Sequence, residues 1–238
     1  MENSKVSEAV RGRDDISPFL VHLTRDNSES HPDGKSARKN LVSIYNTERV
    51  RATGHHCLYS HEIRKLSTEI ENKCKVTCFT EVPLSQLGKV VRDIPGRKIK
   101  LEPYGLVFSK KTLVAAGAQP AIYVNSYPGF TRHRAAYREM FNVAKKDPSS
   151  KFWEILPFVN VMNEKHDFAW EREWRVLGEF KFDRRNLVCV ILPESGEDKI
   201  RKQAAKSGLA VISPGLNYEQ IIAALSTQQK KTKALLKA

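Results

Sequence analysis

The chain of 238 residues carries 40 Lys and Arg against 27 Asp and Glu, which gives a formal net charge of +13. A hydrophobic share of 40% is enough for one large domain with its own core, and no apolar run approaches the roughly 18 residues of a membrane-spanning helix. The charge therefore favours a polyanionic partner, nucleic acid above all, and the apolar pattern predicts no membrane-spanning helix.

In chain order, residues 1–15 are polar and mixed in charge, and they predict a disordered lead-in without the apolar segment of a secretory signal. From residue 16 to 238 we expect a single α+β domain. Its first half predicts short strands that alternate with amphipathic helices. The expected strands are Phe19–Arg25, Arg49–Thr53, Val76–Glu81 and Tyr104–Phe108. The expected helices are Ala37–Glu48 capped by Ser36, His61–Lys73, a helix after Pro83, and Lys110–Ala116 capped by Ser109.

The second half predicts a strand at Pro120–Asn125 and then a mainly helical insertion over about residues 135–163. A strand follows at Trp170–Val176. The chain then finishes with a β-α-β-α order, which places a buried strand at Asn186–Leu192 and a basic helix over about residues 218–238. This order of elements predicts a split mixed sheet with a helical insertion and a C-terminal βαβα extension.

The strand at Trp170–Val176 carries the most informative pattern. Side chains alternate between the two faces of a strand, so Glu171, Glu173 and Arg175 share one face and Trp170 and Trp174 share the other. Two carboxylates about 7 Å apart on one face repel each other unless a cation, a hydrogen-bond donor or a substrate lies between them. The pattern predicts a site that stabilises positive charge. An amphipathic edge strand with Glu–Arg pairs in solvent is the alternative.

Other motifs leave their alternatives open. His22 and Thr24 lie two residues apart on one face of the first strand, where they either bind a ligand or are satisfied in the core. Aromatic and cationic residues occur together from Tyr104 to Arg134, a mixture that suits stacking on single-stranded nucleic acid but also suits ordinary packing. The sequence contains neither a Rossmann fingerprint nor a P-loop.

The four cysteines do not predict a disulfide framework in a chain of this length, and we expect a reducing, cytoplasmic setting. Cys57, Cys74 and Cys78 occur with His55 and His56, which are residue types that bind metal. Their spacing does not match that of zinc sites, so we expect no metal.

Several ordered segments together are similar to the AbiGi-type abortive phage-resistance proteins. The segments are Leu20–Thr24, Leu41–Tyr45, Val50–Thr53, Cys78–Leu84, Tyr104–Phe108 and Glu171–Arg175. The last of these contains a Glu-x-Glu-Trp-Arg signature, and the similarity extends from about Phe19 to Phe182. It implies a fold of the ADP-ribosyltransferase type and a role in anti-phage defence, as an abortive-infection or toxin–antitoxin protein.

The resemblance also implies roles for individual residues, with NAD as the substrate. Glu173 would be the catalytic carboxylate and Glu171 would orient or deprotonate the acceptor. The NAD-binding residues would be His22, Thr24, Phe79, Thr80 and Tyr104. This arrangement requires His22 and Glu173 to face one cleft. Cys78-Phe79-Thr80 stands where related enzymes have Ser-Thr-Ser.

Nucleic acid is the expected acceptor, and a cognate toxin or antitoxin protein is a further expected partner. Basic residues would guide the nucleic acid to the site, namely Arg92, Arg97, Lys98, Arg132 and Arg134. The alternative is a non-enzymatic antitoxin or nucleic-acid-binding module on the same fold, for which Glu173 is dispensable.

Overall fold

The computed structural model describes residues 16–29, 34–52, 54–93, 100–164, 167–195 and 199–227. Its strands are β1 (Phe19–Leu23), β2 (Arg49–Val50), β3 (Val76–Thr80), β4 (Gly105–Ser109), β5 (Gln119–Pro120), β6 (Ile122–Asn125), β7 (Val159–Met162), β8 (Glu173–Leu177), β9 (Phe180–Lys181), β10 (Leu187–Ile191) and β11 (Ala210–Ile212). Its helices are α1 (Ala37–Thr47), α2 (Ser60–Ile63), α3 (Thr68–Lys73), α4 (Leu87–Val91), α5 (Lys110–Ala115), α6 (Arg132–Ala144), α7 (Phe152–Ile155), α8 (Lys199–Lys206) and α9 (Tyr218–Ser226).

Within these ranges, seven strands form one mixed sheet in the order β11-β10-β4-β1-β3-β8-β5. The β10–β11 pair is parallel and the remaining pairs of this sheet are antiparallel. Two smaller sheets pair β2 with β9 and β6 with β7. The expected α+β class is confirmed, as is the β-α-β-α order of the C-terminal region up to the end of α9.

The two faces of the large sheet bury separate apolar clusters. On one face, Leu20, Phe79, Phe108 and Val176 pack with residues of α1, α5 and α8. The opposite face presents side chains such as Val21, which pack with residues of α4 and α9. Alternation along each strand therefore decides which cluster a side chain joins. Each fully buried Leu or Phe contributes about 1.5–3 kcal/mol, so this assignment of faces is strongly fixed.

A second lobe forms around the β6–β7 sheet. Phe141 of α6 and Trp153 of α7 are almost completely buried in it, together with Val124 and Val159 of the two strands. Cys57 and Cys74 are buried in the same cluster. The chain enters this lobe directly from β5, so the lobe borders the end of the large sheet where β8 begins.

Several helices begin at a side chain that caps their backbone. Ser36 accepts from the Lys39 amide at 3.4 Å and Ser109 accepts from the Thr112 amide at 3.1 Å, so both expected caps are confirmed. Asn217 forms a complete capping box with Gln220 at the start of α9.

The structure differs from the expected elements in two places that matter for the site. The expected helical stretch over residues 135–163 instead contains α6, α7 and then the strand β7, because Val159 and Val161 pair with β6. The expected strand Trp170–Val176 begins only at Glu173, after a 3₁₀ turn at Ala169–Glu171. Residues 1–15 and 228–238, for which a lead-in and a helix end were expected, lie outside the described residues. In the described part of the chain, every helix is too short or too polar to cross a bilayer.

Gly105 offers a test of how tightly the central strands pack. A Cβ at this position would lie 2.6 Å from the His22 carbonyl oxygen of the adjacent strand, whereas a Cβ at Gly215 would meet nothing within 4 Å. We expect Gly105→Ala to lower the free energy of unfolding by about 1–3 kcal/mol, because β1 and β4 must move apart. Gly215→Ala is the control and should leave stability near that of the wild type in urea unfolding. Equal effects of the two substitutions would contradict this packing.

Candidate active site at Glu173

Glu173 is the first residue of β8, which lies inside the large sheet between β3 and β5. Its register partner on β3 is Thr80, and the amide of Ala121, just after β5, donates to the Glu173 carbonyl oxygen at 2.8 Å. The backbone of Glu173 is thus held on both sides. Its side chain projects from the sheet face that also carries Val21, toward the lobe built on β6 and β7.

The carboxylate of Glu173 is fixed by three neighbouring groups. Arg175 Nη2 donates to Glu173 Oε2 at 2.7 Å, and Tyr123 Oη donates to the same oxygen at 3.1 Å. The thiol of Cys78 also hydrogen-bonds the carboxylate. The Glu173 side chain is 15% exposed, so it is held tightly but is still reached by solvent.

Arg175 is the anchor of this network. Its side chain is completely buried, its Nη1 donates to the Pro157 carbonyl oxygen at 2.7 Å, and its Nε has no hydrogen-bond partner among the described residues. A buried guanidinium is costly unless an anion accompanies it, so Arg175 and Glu173 stabilise each other as charges.

The pKa values around the pair follow from this arrangement. Burial alone would raise the pKa of Glu173, but the charge and hydrogen bond of Arg175 outweigh burial and hold that pKa below its ordinary value. Burial, followed by the negative charge of Glu173, raises the pKa values of Cys78 and Tyr123. Burial also lowers the pKa of nearby His56, against the pull of Glu173. The site at neutral pH therefore holds one carboxylate ion among neutral groups and a buried guanidinium.

A pocket of about 350 Å³ opens beside this carboxylate, at the lower end of the usual size range for ligand sites. Its lining includes Glu81, Ala121, Tyr123, Arg172, Glu173 and Trp174. A second carboxylate, Glu81, is held there by Lys110 and by the Trp174 indole, whose Nε1 donates at 2.7 Å. The side chains of Glu173 and Trp174 leave opposite faces of β8, so the pocket lies at the end of the sheet where the two faces meet. Tyr123 lies on the Glu173 side of it, and Glu81 lies on the Trp174 side.

Glu171 does not share the strand face of Glu173, so the prediction of two carboxylates on one strand face is wrong. Arg172 adopts a left-handed conformation with φ 47°, which ends the 3₁₀ turn and turns Glu171 out of the strand. Thr80 Oγ1 donates to the Glu171 carbonyl oxygen, and the Glu81 amide donates to the Arg172 carbonyl oxygen at 3.1 Å. These bonds stabilise a backbone shape that a non-glycine residue seldom adopts, and such strain often occurs at functional sites.

His22 and Glu173 do not face one cleft, and this expectation is also wrong. His22 is the register partner of Leu106, and its ring lies edge-on to Phe79 at 5.7 Å, in the cluster covered by α1. Val21, one residue earlier, is the residue paired with Thr80 on the Glu173 face. The ring nitrogen Nδ1 of His22 donates to the Cys78 carbonyl oxygen at 2.9 Å, so the imidazole is a satisfied core group.

The other predicted NAD-binding residues likewise have structural partners. Thr24 Oγ1 donates to the Ala37 carbonyl oxygen at 2.8 Å, and Thr80 is tied to Glu171. Phe79 is 3% exposed and packs edge-on against Phe108, while Tyr104 is half-buried against the same cluster. The structure does not bring these four side chains together with Glu173 in one pocket.

The basic residues predicted to guide nucleic acid are dispersed. Arg132 and Arg134 are exposed on the first turn of α6, where Arg134 Nη1 donates to Ser126 Oγ at 3.2 Å. Arg92 is exposed at the end of α4, which covers the sheet face opposite α1. Arg97 and Lys98 lie outside the described residues.

The cluster of potential metal ligands is taken up by other contacts. Cys57 and Cys74 hydrogen-bond each other inside the second lobe, and His55 Nε2 donates to the Glu71 carbonyl oxygen at 2.9 Å. Cys78 is bound to Glu173 on the sheet. Over the described ranges, no three His, Cys, Asp or Glu side chains are grouped so that they could hold a metal ion.

Three residues of the site have roles that sequence reasoning did not assign. Alternation placed Arg175 on the face of Glu173, but it could not indicate that the guanidinium is buried. Tyr123 occurred only within a general aromatic and basic stretch. Glu81 directly follows β3, and a carboxylate at a strand end was the one available signal for it.

Comparisons of the chain with models of protein families, with curated proteins and with solved structures found no match.

Removing the buried guanidinium tests the ion pair. We expect Arg175→Met to lower the free energy of unfolding by about 3–5 kcal/mol, because it leaves the Glu173 carboxylate buried without its counter-ion. The double variant Glu173→Gln/Arg175→Met should recover much of this loss. Lys151→Met is the control, since it breaks an exposed ion pair with Glu154 and should leave the urea midpoint near that of the wild type. Equal stability of the two single variants would contradict the account.

The buried imidazole of His22 gives a pH-dependent test. Burial lowers its pKa below the ordinary value of 6.5, against the opposing effect of the Cys78 carbonyl. The unfolded chain then binds the extra proton first, so the free energy of unfolding should fall as pH drops below about 6.5, by up to about 1.4 kcal/mol per pH unit. His22→Gln should reduce this slope, with His56 contributing a remainder. Urea unfolding at several pH values measures this slope. Identical slopes for the wild type and His22→Gln would contradict the burial of a neutral His22.

Proposed function

We propose that the protein is an NAD-dependent ADP-ribosyltransferase of bacterial anti-phage defence and that its reaction takes place in the pocket beside Glu173. The single observation that carries this proposal is an ionised carboxylate, fixed by Arg175 and Tyr123, at the edge of a pocket that contains aromatic side chains. The sequence resemblance supplies the reaction class.

The chemistry suits the carboxylate. In ADP-ribosyl transfer, the bond between nicotinamide and the ribose anomeric carbon breaks, and its electron pair leaves with the neutral nicotinamide. The anomeric carbon then carries positive charge until an acceptor atom bonds to it and loses a proton. A carboxylate that is already ionised and oriented stabilises that charge without having to reorganise.

The neighbours of Glu173 supply the remaining needs of such a site. Arg175 keeps the carboxylate of Glu173 ionised from a completely buried position, so it is a positioning residue rather than one that contacts substrate. Tyr123, which hydrogen-bonds Glu173, offers aromatic surface to a flat, cationic nicotinamide ring. Glu81, held by Lys110, is the second carboxylate of the pocket lining, and in this proposal it accepts the proton from the acceptor group.

This proposal uses fewer residues than the resemblance implied. His22, Thr24, Phe79 and Thr80 are occupied by structural contacts, so they have no part in it. Glu171 is retained only as a neighbour of the pocket, because its charge influences Tyr123. Nucleic acid is the acceptor that the basic composition favours, and the exposed Arg132 and Arg134 stay candidates for guiding it.

One observation favours a second function, a non-enzymatic antitoxin or nucleic-acid-binding module. The charge of Glu173 is balanced by a completely buried Arg175, and a buried ion pair can serve folding alone. In that case Glu173 has no chemical role, and the protein acts through its basic surface.

Nicotinamide release distinguishes the two functions. The purified chain, incubated with NAD and with RNA, DNA or cell extract, should release nicotinamide and transfer labelled ADP-ribose. Glu173→Gln keeps the size and hydrogen-bonding capacity of the side chain but removes its charge, so we expect the rate to fall by about 10²–10³-fold. Glu139→Gln, on the exposed surface of α6, should act like the wild type.

Thermal unfolding of both variants shows whether any loss reflects misfolding. Equal rates for wild type and Glu173→Gln would refute the enzymatic proposal. Absence of nicotinamide release in every mixture would do the same and would leave the non-enzymatic function.

A further inference from the structure

Eight of the cationic residues of the described structure lie in one layer of helices. Helices α1, α5 and α8 all pack on the same apolar cluster, through Leu41, Leu113 and Ile200. We call these three helices the basic helical layer. Its Lys and Arg residues are Arg38 and Lys39 of α1, Lys110 and Lys111 of α5, and Lys199, Arg201, Lys202 and Lys206 of α8. Within the bounds of these three helices there is no Asp or Glu.

Most of this charge faces solvent. The exposed members are Arg38, Lys39, Lys111, Lys199, Lys202 and Lys206. Of the acidic residues near the end of α1 and the start of β10, Glu48 binds Arg184 at 2.8 Å and Asp183 binds Arg185. Glu197 and Asp198 precede α8 in the sequence and lie outside the described residues. The layer therefore carries exposed positive charge at residues other than the five predicted to guide nucleic acid.

We propose that the basic helical layer binds double-stranded nucleic acid through its phosphates. Exposed cations suit the phosphate backbone, and binding of this kind releases counter-ions whatever the base sequence. Lys199, Lys202 and Lys206 lie at spacings of three and four residues, so they occupy one side of α8.

The composition of the layer argues for a duplex over the other polyanions. Single strands are usually held by bases stacked on exposed aromatic rings, but the aromatic residue within these helices, Tyr45, is 1% exposed. A membrane surface is usually held by charge together with apolar side chains that enter the lipid. In the described part of the layer the only large apolar side chain that is substantially exposed is Val114, while others such as Phe130, Val143 and Trp170 lie outside these helices.

The layer also reaches the pocket. Lys110, the first residue of α5, binds Glu81 and lies 5.3 Å from the centre of the Trp174 ring, and both of these residues line the pocket. A duplex bound on the layer would therefore lie beside the proposed reaction site. The binding of a duplex needs neither NAD nor the proposed reaction, so it can be tested separately from them.

Fluorescence anisotropy with a labelled duplex of about 20 base pairs, without NAD, tests the proposal over a range of salt concentrations. One variant of the full chain replaces Lys199, Lys202 and Lys206 with Gln. The matched control replaces Lys145, Lys146 and Lys151 with Gln, which removes the same charge from exposed positions at the second lobe. We expect the α8 variant to bind at least about tenfold more weakly and to lose about 2–3 from the salt slope, whereas the control changes affinity by less than about twofold.

Several outcomes would overturn the proposal. Equal losses of duplex affinity in the two triple variants would show that net charge, rather than this layer, is responsible for the binding. Tighter binding of a single-stranded oligonucleotide than of the duplex would move the site to an aromatic surface. Vesicles containing phosphatidylserine that bind more tightly than the duplex, with the same loss in the α8 variant, would identify a membrane surface instead. Thermal unfolding confirms that both triple variants are folded.

Discussion

The ion pair between Arg175 and Glu173 is the interaction on which the end of the large sheet depends. Arg175 is completely buried between the sheet and the second lobe, where it also binds the Pro157 carbonyl oxygen. Its charge requires a buried anion, and Glu173 is that anion. The same contact that stabilises the lobe against the sheet therefore also keeps a carboxylate ionised at the mouth of a pocket. Stability and the proposed chemical role both depend on this one pair of side chains.

Simple alternation predicted part of this arrangement from the sequence. Glu173 and Arg175 are two residues apart in a strand, so they had to share a face, and Trp174 had to join the opposite core. The α+β class and the final β-α-β-α order also followed from the apolar patterns. These features depend on local periodicity, which a single sequence contains.

The features that the sequence could not reveal depend on which face of the sheet a strand residue occupies and on local backbone geometry. His22 lies on the wrong face because β1 pairs with β3 through Val21 and Thr80, and a shift of one residue would have reversed this. Glu171 leaves the strand because Arg172 adopts a left-handed conformation that favours glycine, and the sequence has arginine there. Burial of Arg175 depends on β7 and the Leu156–Phe158 turn, a region expected to be helical.

The distribution of charge connects the site to a wider surface. The basic helical layer and the pocket meet at Lys110, which binds Glu81 and lies over Trp174. In the proposed function, the positive helical layer would hold the nucleic acid. The negatively charged pocket, with Glu173 and Glu81, would hold the cationic nicotinamide group. The protein would then need no aromatic platform of the kind that the stretch from Tyr104 to Arg134 had suggested.

The central claim is that the pocket beside Glu173 receives the nicotinamide riboside part of NAD. A crystal structure with a non-hydrolysable carbocyclic analogue of NAD tests it most directly. We expect the carbon equivalent to the anomeric centre to contact the Glu173 carboxylate, with the nicotinamide ring against Tyr123. An analogue bound beside His22 on the other face of the sheet, or no binding at concentrations that saturate known NAD-binding proteins, would contradict it.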